Sequence, residues 1–565
     1  MSHHIAFFLL STFYFLLSTA SMKVTPHKYF FNSDTGFLFQ DQFYPTDMAA
    51  QKHPAQWLHD YVNLLADAGI DTLLLCAGGQ KPGFSSKVQP SLPKYQRGDR
   101  DYFRGYFPPT NDTDFTPEML EQRIDHLMKV TNRFVDLEEA GMNTIVEMAK
   151  ACRNRGISPW ASLRMNDGHG GNNWDHWWLN NPVQQNPKFR LSGKALNPKD
   201  GNHYGWQLSS YEHREVRDYY FTMVKELVED FDIDGLELDW LRCAFCCEPE
   251  ASQKTIDMMT DWHAEIRDLC RARSKKTGKP FYLGLRIPPN LGLVKSIGLD
   301  VKEMARRDLI DYISPGNYFQ ASWDIPYDTL RADLGDNVSI LGGIEALPNW
   351  MDAGPEEWIV TFRWFKDSLP LMRGNAANKL AMGVDGLEYF NLFVLRNDPV
   401  YTELQKLTDL NALRGKPKHY TFSSMNCFYN SFSHFENSSQ FPEIIEPDWR
   451  KAFRISMCAE PADKNLQLTI QVILERKEKQ PDIGVSFNGS WPNFEATPTD
   501  DLLFPAGKYS KIHSTHQAFN YTFDVNLIKE GWNEMILYNE THEKATPEQR
   551  AANSAHVVAI ELSVI

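Results

Sequence analysis

Glu237 and Asp239 stand two residues apart in Phe-Asp-Ile-Asp-Gly-Leu-Glu-Leu-Asp-Trp-Leu-Arg, residues 231 to 242. Side chains alternate along an extended strand, so Gly235, Glu237 and Asp239 share one face while Leu236, Leu238 and Trp240 take the other, apolar face. A carboxylate removed from water is costly unless it is paired or used. Two acids on one face of such a strand therefore point to proton transfer or nucleophilic attack. The plainer alternative is a pair of acids facing solvent, as most Asp and Glu do.

Such a strand needs neighbours to position it. Short apolar runs predict seven more strands, giving in order 29–32, 72–76, 158–164, 235–239, 282–286, 312–314, 339–344 and 386–391. Amphipathic stretches between them predict helices at 55–68, 117–138, 143–155, 213–230, 252–274, 301–307 and 356–368. Thr116-Pro117 supplies a capping hydroxyl before a first-turn proline, and Gly156 closes the helix before it. Eight βα units predict an α/β fold of the (β/α)8 TIM barrel type, with its site at the C-terminal ends of the strands. A doubly wound sheet is the alternative.

After about residue 415 the rhythm becomes alternating strands with turn signals, among them Asn488-Gly489, and no convincing helix intervenes. That predicts an antiparallel β-sandwich. The expected organisation is a signal peptide over 1–21, a barrel over 22–414 and a C-terminal sandwich over 415–565, with carbohydrate binding a candidate role for the sandwich.

In a barrel the strand ends surround one mouth. Here they carry Arg164, Met165, Asn166 and Asp167 on strand three; Glu237, Asp239 and Arg242 on strand four; and Arg286 on strand five. Strand six ends in Asn317 and Tyr318, strand seven in Glu345, and strand eight in Glu388 and Asn391. Carboxylates on strands four and seven can face each other, one giving a proton while the other attacks or activates water, as cleavage of a glycosidic bond requires. The expected catalytic pair is Asp239 with Glu345, and Glu237 lies one layer deeper as a modulator of the Asp239 charge. Arg164, Arg242 and Arg286 would hold ionised partners or substrate hydroxyls. Asn166, Asp167, His169, Trp174, Trp240, Asn317, Tyr318 and Asn391 complete the expected binding set. Trp177, Trp178, Trp323 and Trp350 extend an aromatic concentration suited to stacking on sugar faces.

Fifty-eight basic against 73 acidic residues give a net charge of -15, which disfavours nucleic acid or an anionic membrane surface as partner. An uncharged poly- or oligosaccharide fits better. The apolar run 5–17 followed by Ser18-Thr19-Ala20 reads as a secretory signal, with no membrane span expected after its removal and a secreted or periplasmic destination. Cys243, Cys246 and Cys247 form a CxxCC cluster without a matching second pair, and His169 and His176 match no closed zinc motif. No metal and no cofactor are expected; a disulfide or plain packing suits the cysteines better. Six Asn-x-Ser/Thr sequons would matter only in a eukaryotic secretory pathway.

The segments 156–167, 232–240 and 384–391 resemble secreted glycoside hydrolase family 10-like barrels of polysaccharide-degrading bacteria. The resemblance spans about residues 28–412 and implies a (β/α)8 fold, hydrolysis of a poly- or oligosaccharide, and an acidic residue ending strand four, here Asp239. Residues 527–534 are similar to accessory sandwiches of carbohydrate-active enzymes. Two departures stand out. Xylanase-type members carry glutamates on strands four and seven, whereas this chain has Asp239. Strand four also resembles the chitinase pattern Asp-Gly-x-Asp-x-Asp-x-Glu, with Leu241 in place of the final acid. The alternatives in other classes are a non-catalytic carbohydrate-binding barrel and a polysaccharide lyase.

Overall fold

The computed structural model describes residues 25–34, 53–91, 100–104, 116–168, 180–192, 208–317, 321–345, 368–392, 400–423, 440–506, 509–541 and 546–565. The expected signal segment, His169, Trp174, Trp177, Trp178, Tyr318 and Trp350 lie outside them, as does all but the last residue of the expected helix 356–368.

Eight parallel strands close into a barrel: β1 (Tyr29–Ser33), β2 (Thr72–Gly78), β3 (Ser158–Arg164), β4 (Gly235–Asp239), β5 (Tyr282–Ile287), β6 (Tyr312–Pro315), β7 (Ser339–Ile344) and β8 (Gly386–Phe390). The pairing of Phe30 with Glu388 and Asn32 with Phe390 joins β1 to β8, which excludes the doubly wound alternative. Helices over Gln56–Asp67, Pro117–Glu139, Thr144–Arg155, Arg214–Asp230 and Gln253–Thr277 follow the sequence expectation to within a few residues. Thr116 accepts from the Met119 amide, and Gly156 turns with φ of 70°.

Alternation along the strands divides two environments. Leu236, Leu238, Leu283, Leu285, Ile313 and Leu387 face outward into the core shared with the helices. Inside, Phe30, Leu74, Trp160, Tyr312 and Leu341 plug the bottom of the barrel. Two glycines make that plug possible. A Cβ at Gly235 would lie 2.4 Å from the Trp160 ring, and one at Gly284 would lie 1.9 Å from the ring of Tyr312. The strand carrying the acids therefore starts with a residue that has no side chain, because an indole occupies the space.

The C-terminal strands are antiparallel and form two principal sheets. In one, β10 (Glu443–Ile445), β19 (Ala555–Val564), β12 (Gln467–Glu475), β17 (His516–Asp524) and β14 (Thr497–Thr499) run in that order, with β9 (Lys418–Thr421) also on β19. The other is β11 (Arg450–Met457), β18 (Gly531–Asn539) and β13 (Ile483–Phe487), and a hairpin joins β15 (Asp501–Ala506) to β16 (Tyr509–Lys511). Phe453, Ile455, Val472, Val485, Phe523, Leu537 and Leu562 fill the space between the sheets. Among the described residues an α-helix breaks the all-strand expectation here: Pro547–Asn553, capped by Thr546 in a capping box with Gln549. Its Thr-Pro start is the same signal that opens Pro117–Glu139.

Another helix absent from the sequence expectation, Leu369–Leu380, joins barrel to sandwich. Its Gly374 lies where a Cβ would sit 1.8 Å from the carbonyl oxygen of His419, and Asn378 Nδ2 donates to Trp323 O at 3.0 Å and to Ser456 O at 2.9 Å. The expected helix 301–307 is observed as Val301–Arg306.

The bottom plug yields a direct test. Gly284→Ala must displace the buried Tyr312 ring, and overpacking of this kind costs about 1–3 kcal/mol. The urea midpoint of the variant is expected to fall accordingly; a midpoint equal to the parent would show that the ring does not fill this layer.

Candidate active site

Register carries the acids upward from the plug. Ser162 pairs with Glu237 and Arg164 with Asp239 between β3 and β4; Glu237 pairs with Gly284 and Asp239 with Arg286 between β4 and β5. Glu345 follows the last residue of β7, and Glu388 sits in the middle of β8 opposite Gly343. Glu237, Asp239, Arg286, Glu345 and Glu388 are all at most 2% exposed.

Arg286 organises the group. Its Nη1 donates to Asp239 Oδ1 at 3.2 Å and Oδ2 at 3.1 Å, its Nη2 donates to Glu345 Oε1, and its Nε lies 3.9 Å from Glu388 Oε1. The Phe390 ring lies under the guanidinium, 3.5 Å from its carbon to the ring centroid, which fixes the plane of the fork. Burial alone would lower the Arg286 pKa, but Glu345, Asp239, Glu388 and Glu237 outweigh it and hold the cation charged.

The two expected catalytic acids have different surroundings. Asp239 Oδ1 also accepts from the amides of Leu241 at 3.0 Å and Arg242 at 3.1 Å, so its acceptor capacity is filled. Glu345 offers Oε1 to Arg286, whereas its buried Oε2 has no hydrogen-bond partner among the described residues. Burial pushes the Glu345 carboxyl up to about 7, with Glu388 and Asp239 adding to the rise and Arg286 opposing it. It is a carboxyl group able to hold a proton near neutrality with one oxygen uncommitted.

Glu237 lies one layer deeper. Its Oε1 accepts from Asn32 Nδ2 at 2.7 Å and Ser162 Oγ at 2.8 Å, and its Oε2 accepts from the Tyr312 hydroxyl at 2.9 Å. Asn32 Nδ2 also reaches Glu388 Oε1 at 3.0 Å. Burial, then Glu388 and Asp239, push Glu237 well above the usual carboxylate range, and burial raises Glu388 too. Glu388 is the member of this cluster that the sequence reading noted at a strand end yet left out of the candidate set. Its signal is the same alternation: in Gly-Leu-Glu-Tyr-Phe it shares a face with Gly386, as Glu237 does with Gly235.

The remaining expected residues separate. Arg164 bridges Asp34 Oδ2 at 2.7 Å and Asp167 Oδ2 at 3.2 Å, and Arg242 Nε lies 4.0 Å from the same Asp167 oxygen. Arg164, Asp167 and Arg242, all buried, form with the half-buried Asp34 a second ion cluster beside the first. Asn391, at φ 45°, accepts from the Asp34 amide at 3.2 Å, tying the end of β8 to the end of β1. Asn317 donates to Ser322 Oγ. Asn166 staples loops, donating to Ser209 O at 2.9 Å and accepting from Ser209 N at 3.0 Å.

Trp240 is a correction. It is fully buried on the helix side of β4, where its Nε1 donates to His263 Nε2 at 3.2 Å and its ring packs on Tyr211 and Trp262. One residue past Asp239, it must point away from the mouth. The described cysteines are all free, and Cys246 Sγ donates to Ile297 O at 2.7 Å, so among them the cluster after β4 is packing.

No protein-family model matches the chain, and no curated protein sequence matches it. Solved structures similar to it include an α-amylase from Anoxybacillus, 12% identical, covering 91% of this chain and 99% of that one with a TM-score of 0.37. The glycoside hydrolase domain of PgaB from Bordetella bronchiseptica is 12% identical over 68% of this chain and 99% of its own, TM-score 0.37. A β-N-acetylhexosaminidase is 12% identical over 68% and 71%, TM-score 0.34. The family 10 resemblance is thus not matched by any family model, while the barrel itself rests on the strand pairing.

The raised Glu345 value sets a pH dependence of stability. Between the ordinary 4.5 and about 7 the folded chain keeps a proton that the unfolded chain has released. This contribution is therefore complete at low pH and is lost as pH rises through about 7, at up to ~1.4 kcal/mol per unit. Glu345→Gln is expected to flatten the dependence of the thermal midpoint on pH in that window. Superimposable profiles for parent and variant would mean that Glu345 is not protonated in the folded chain.

Proposed function

We propose that this chain is a secreted glycoside hydrolase that cleaves a poly- or oligosaccharide with Asp239 and Glu345 as its paired carboxyl groups. The observation that carries the reading is the contrast between them on one guanidinium: Asp239 with Oδ1 held by two backbone amides and Arg286 while Oδ2 takes one donor, Glu345 with Oε2 uncommitted among the described residues and a carboxyl pushed up to about 7. In this reading Glu345 is the general acid, delivering its proton from Oε2 to the departing glycosidic oxygen. Asp239 acts on the opposite side of the anomeric carbon, as nucleophile or as base toward water. Arg286 moves no proton; it holds the two carboxyl groups in a common frame while charge shifts between them. Glu237 and Glu388 tune that charge from below, and the clusters of Arg164, Asp167 and Arg242 and of Asn317 border the sugar site. The short apolar segment at 5–17 supports export.

A second reading, a non-catalytic sugar-binding barrel, is favoured by one observation: Asp239, Glu345 and Arg286 are almost wholly buried and mutually paired, as a structural ion cluster would be.

Leaving-group chemistry separates the readings. Glu345→Gln is expected to lose about 10²–10⁴-fold on natural polysaccharides, which need protonation, yet to keep much of its activity on dinitrophenyl glycosides, which do not. Asp239→Asn is expected to lose activity on both. For the parent enzyme kcat/KM should fall as pH rises above about 7, because the acid must be protonated. Bound saccharide without any product from the parent enzyme would establish the second reading instead.

A further inference from the structure

The Asn488-Gly489 turn does more than connect strands. Asn488 and Gly489 adopt φ of 49° and 81°, and Phe487 and Ser490 exchange backbone hydrogen bonds at 2.9 and 3.0 Å, the geometry of a two-residue hairpin turn. Asn488 locks the turn onto its surroundings: Nδ2 donates to Leu527 O and Asn533 Oδ1, both at 2.7 Å, while Oδ1 accepts from the Glu534 amide at 2.9 Å. The returning chain then lays Trp491 on the outer face of the three-stranded sheet.

Residues with even numbers face outward there. Gly484 on β13 and Arg450 on β11 both pair with Tyr538 on β18, so Tyr538 stands between a glycine and an arginine. The Trp491 ring comes within 3.2 Å of the place a Gly484 Cβ would occupy, and its centroid is 5.3 Å from that of Tyr538 with a 37° tilt. Glu540 Oε1 lies 2.5 Å from the same Cβ position. Gly484 thus leaves a cleared floor on which two rings and a carboxylate meet. Trp491 nevertheless remains 56% exposed. The far end of this face is anchored to the barrel: Trp532 Nε1 donates to Asp328 Oδ2 at 3.0 Å, with Arg454 over its ring. Six residue steps along the strand take Trp532 to Tyr538, about 20 Å.

We propose that Trp491 and Tyr538, with Glu540 and Arg450 at their edges, form a second saccharide-binding site that stacks an uncharged sugar chain on the sandwich, away from the barrel mouth. Flat rings at a shallow mutual tilt present faces to the C–H surface of successive sugar rings, while a carboxylate and a guanidinium beside them serve the hydroxyls. A patch two rings wide, bordered by charges of both signs, is too small for a stable protein interface, which buries about 800 Å² per partner. The chain's net charge of -15 disfavours an anionic membrane. The site does not depend on the chemistry proposed for the barrel.

Affinity electrophoresis of the full chain in native gels containing soluble xylan, mannan, mixed-linkage glucan or starch tests it. The parent protein is expected to be retarded by at least one of these. Trp491→Ala should weaken that retardation about tenfold with an unchanged thermal midpoint, Trp491→Phe should restore part of it, and Asp239→Asn should leave it intact. The proposal is overturned if no polysaccharide retards the parent, if Trp491→Ala migrates as the parent does, or if Asp239→Asn alone removes the retardation. A change in oligomeric state on Trp491→Ala without any change in retardation would likewise overturn it, in favour of a contact between copies.

Discussion

A single guanidinium, that of Arg286, is what allows four carboxyl groups to lie together inside this barrel. Glu237, Asp239, Glu345 and Glu388 are buried around it, and all four ionised would leave three uncompensated negative charges in a dry interior. Protons must make up the difference. Burial pushes Glu237, Glu388 and Glu345 above the ordinary carboxylate range, so the excess negative charge is relieved on these three groups. Glu388 meets the cluster through Oε1, which accepts from Asn32 Nδ2 at 3.0 Å and lies 3.9 Å from Arg286 Nε. Below them the aromatic plug, made possible by Gly235 and Gly284, keeps water out and supplies the Tyr312 hydroxyl as the one donor from beneath.

Much of this was legible in the sequence because strand alternation is a local property. Eight apolar runs gave eight strands, and the register of Glu237 below Asp239 followed from a period of two. The same rule correctly assigned Trp240 to the apolar face, and placing it among sugar-binding residues went against that rule; the structure sides with the alternation. Glu388 was harder to recognise because what makes it part of the site is not local. It meets Asn32 across 356 residues of chain and Glu237 across the barrel. Asn166 misled for a related reason. A short amide at a strand end suits a substrate hydroxyl and a loop carbonyl equally well, and only the fold shows that Ser209 and Phe245 are there to take it.

Leu369–Leu380 went unread because it lacks the pattern by which helices are recognised. A surface helix has one apolar stripe; this one buries Leu371, Met372, Gly374, Asn375, Ala376, Ala377, Asn378 and Lys379 between barrel and sandwich. Small and amide-bearing residues replace the stripe because both sides are in contact. Gly374 admits the His419 carbonyl, and Asn378 bonds backbone on each side. Sequence periodicity reports a boundary between protein and water, and in this helix only Leu369, Pro370, Arg373 and Leu380 reach part of one.

That helix also links the joint to the site. Lys379 is fully buried, its ammonium donating to Ser322 O at 2.9 Å and Asn375 Oδ1 at 2.7 Å, and its stem lies where a Cβ on Gly342 of β7 would come within 2.8 Å. Burial draws its pKa down to about 7, against the pull of Asp324 and Glu345. The strand that presents Glu345 is therefore backed by a cation whose charge is itself balanced near neutrality, held in place by the contact between barrel and sandwich. On the helix side of Asp239 the same strand turns Leu238 and Trp240 into the apolar core. The helix that covers the strand leading to Glu345 is thus the same helix that bonds backbone of the sandwich at Ser456, so the buried Lys379 ammonium lies between the site strand and the second domain.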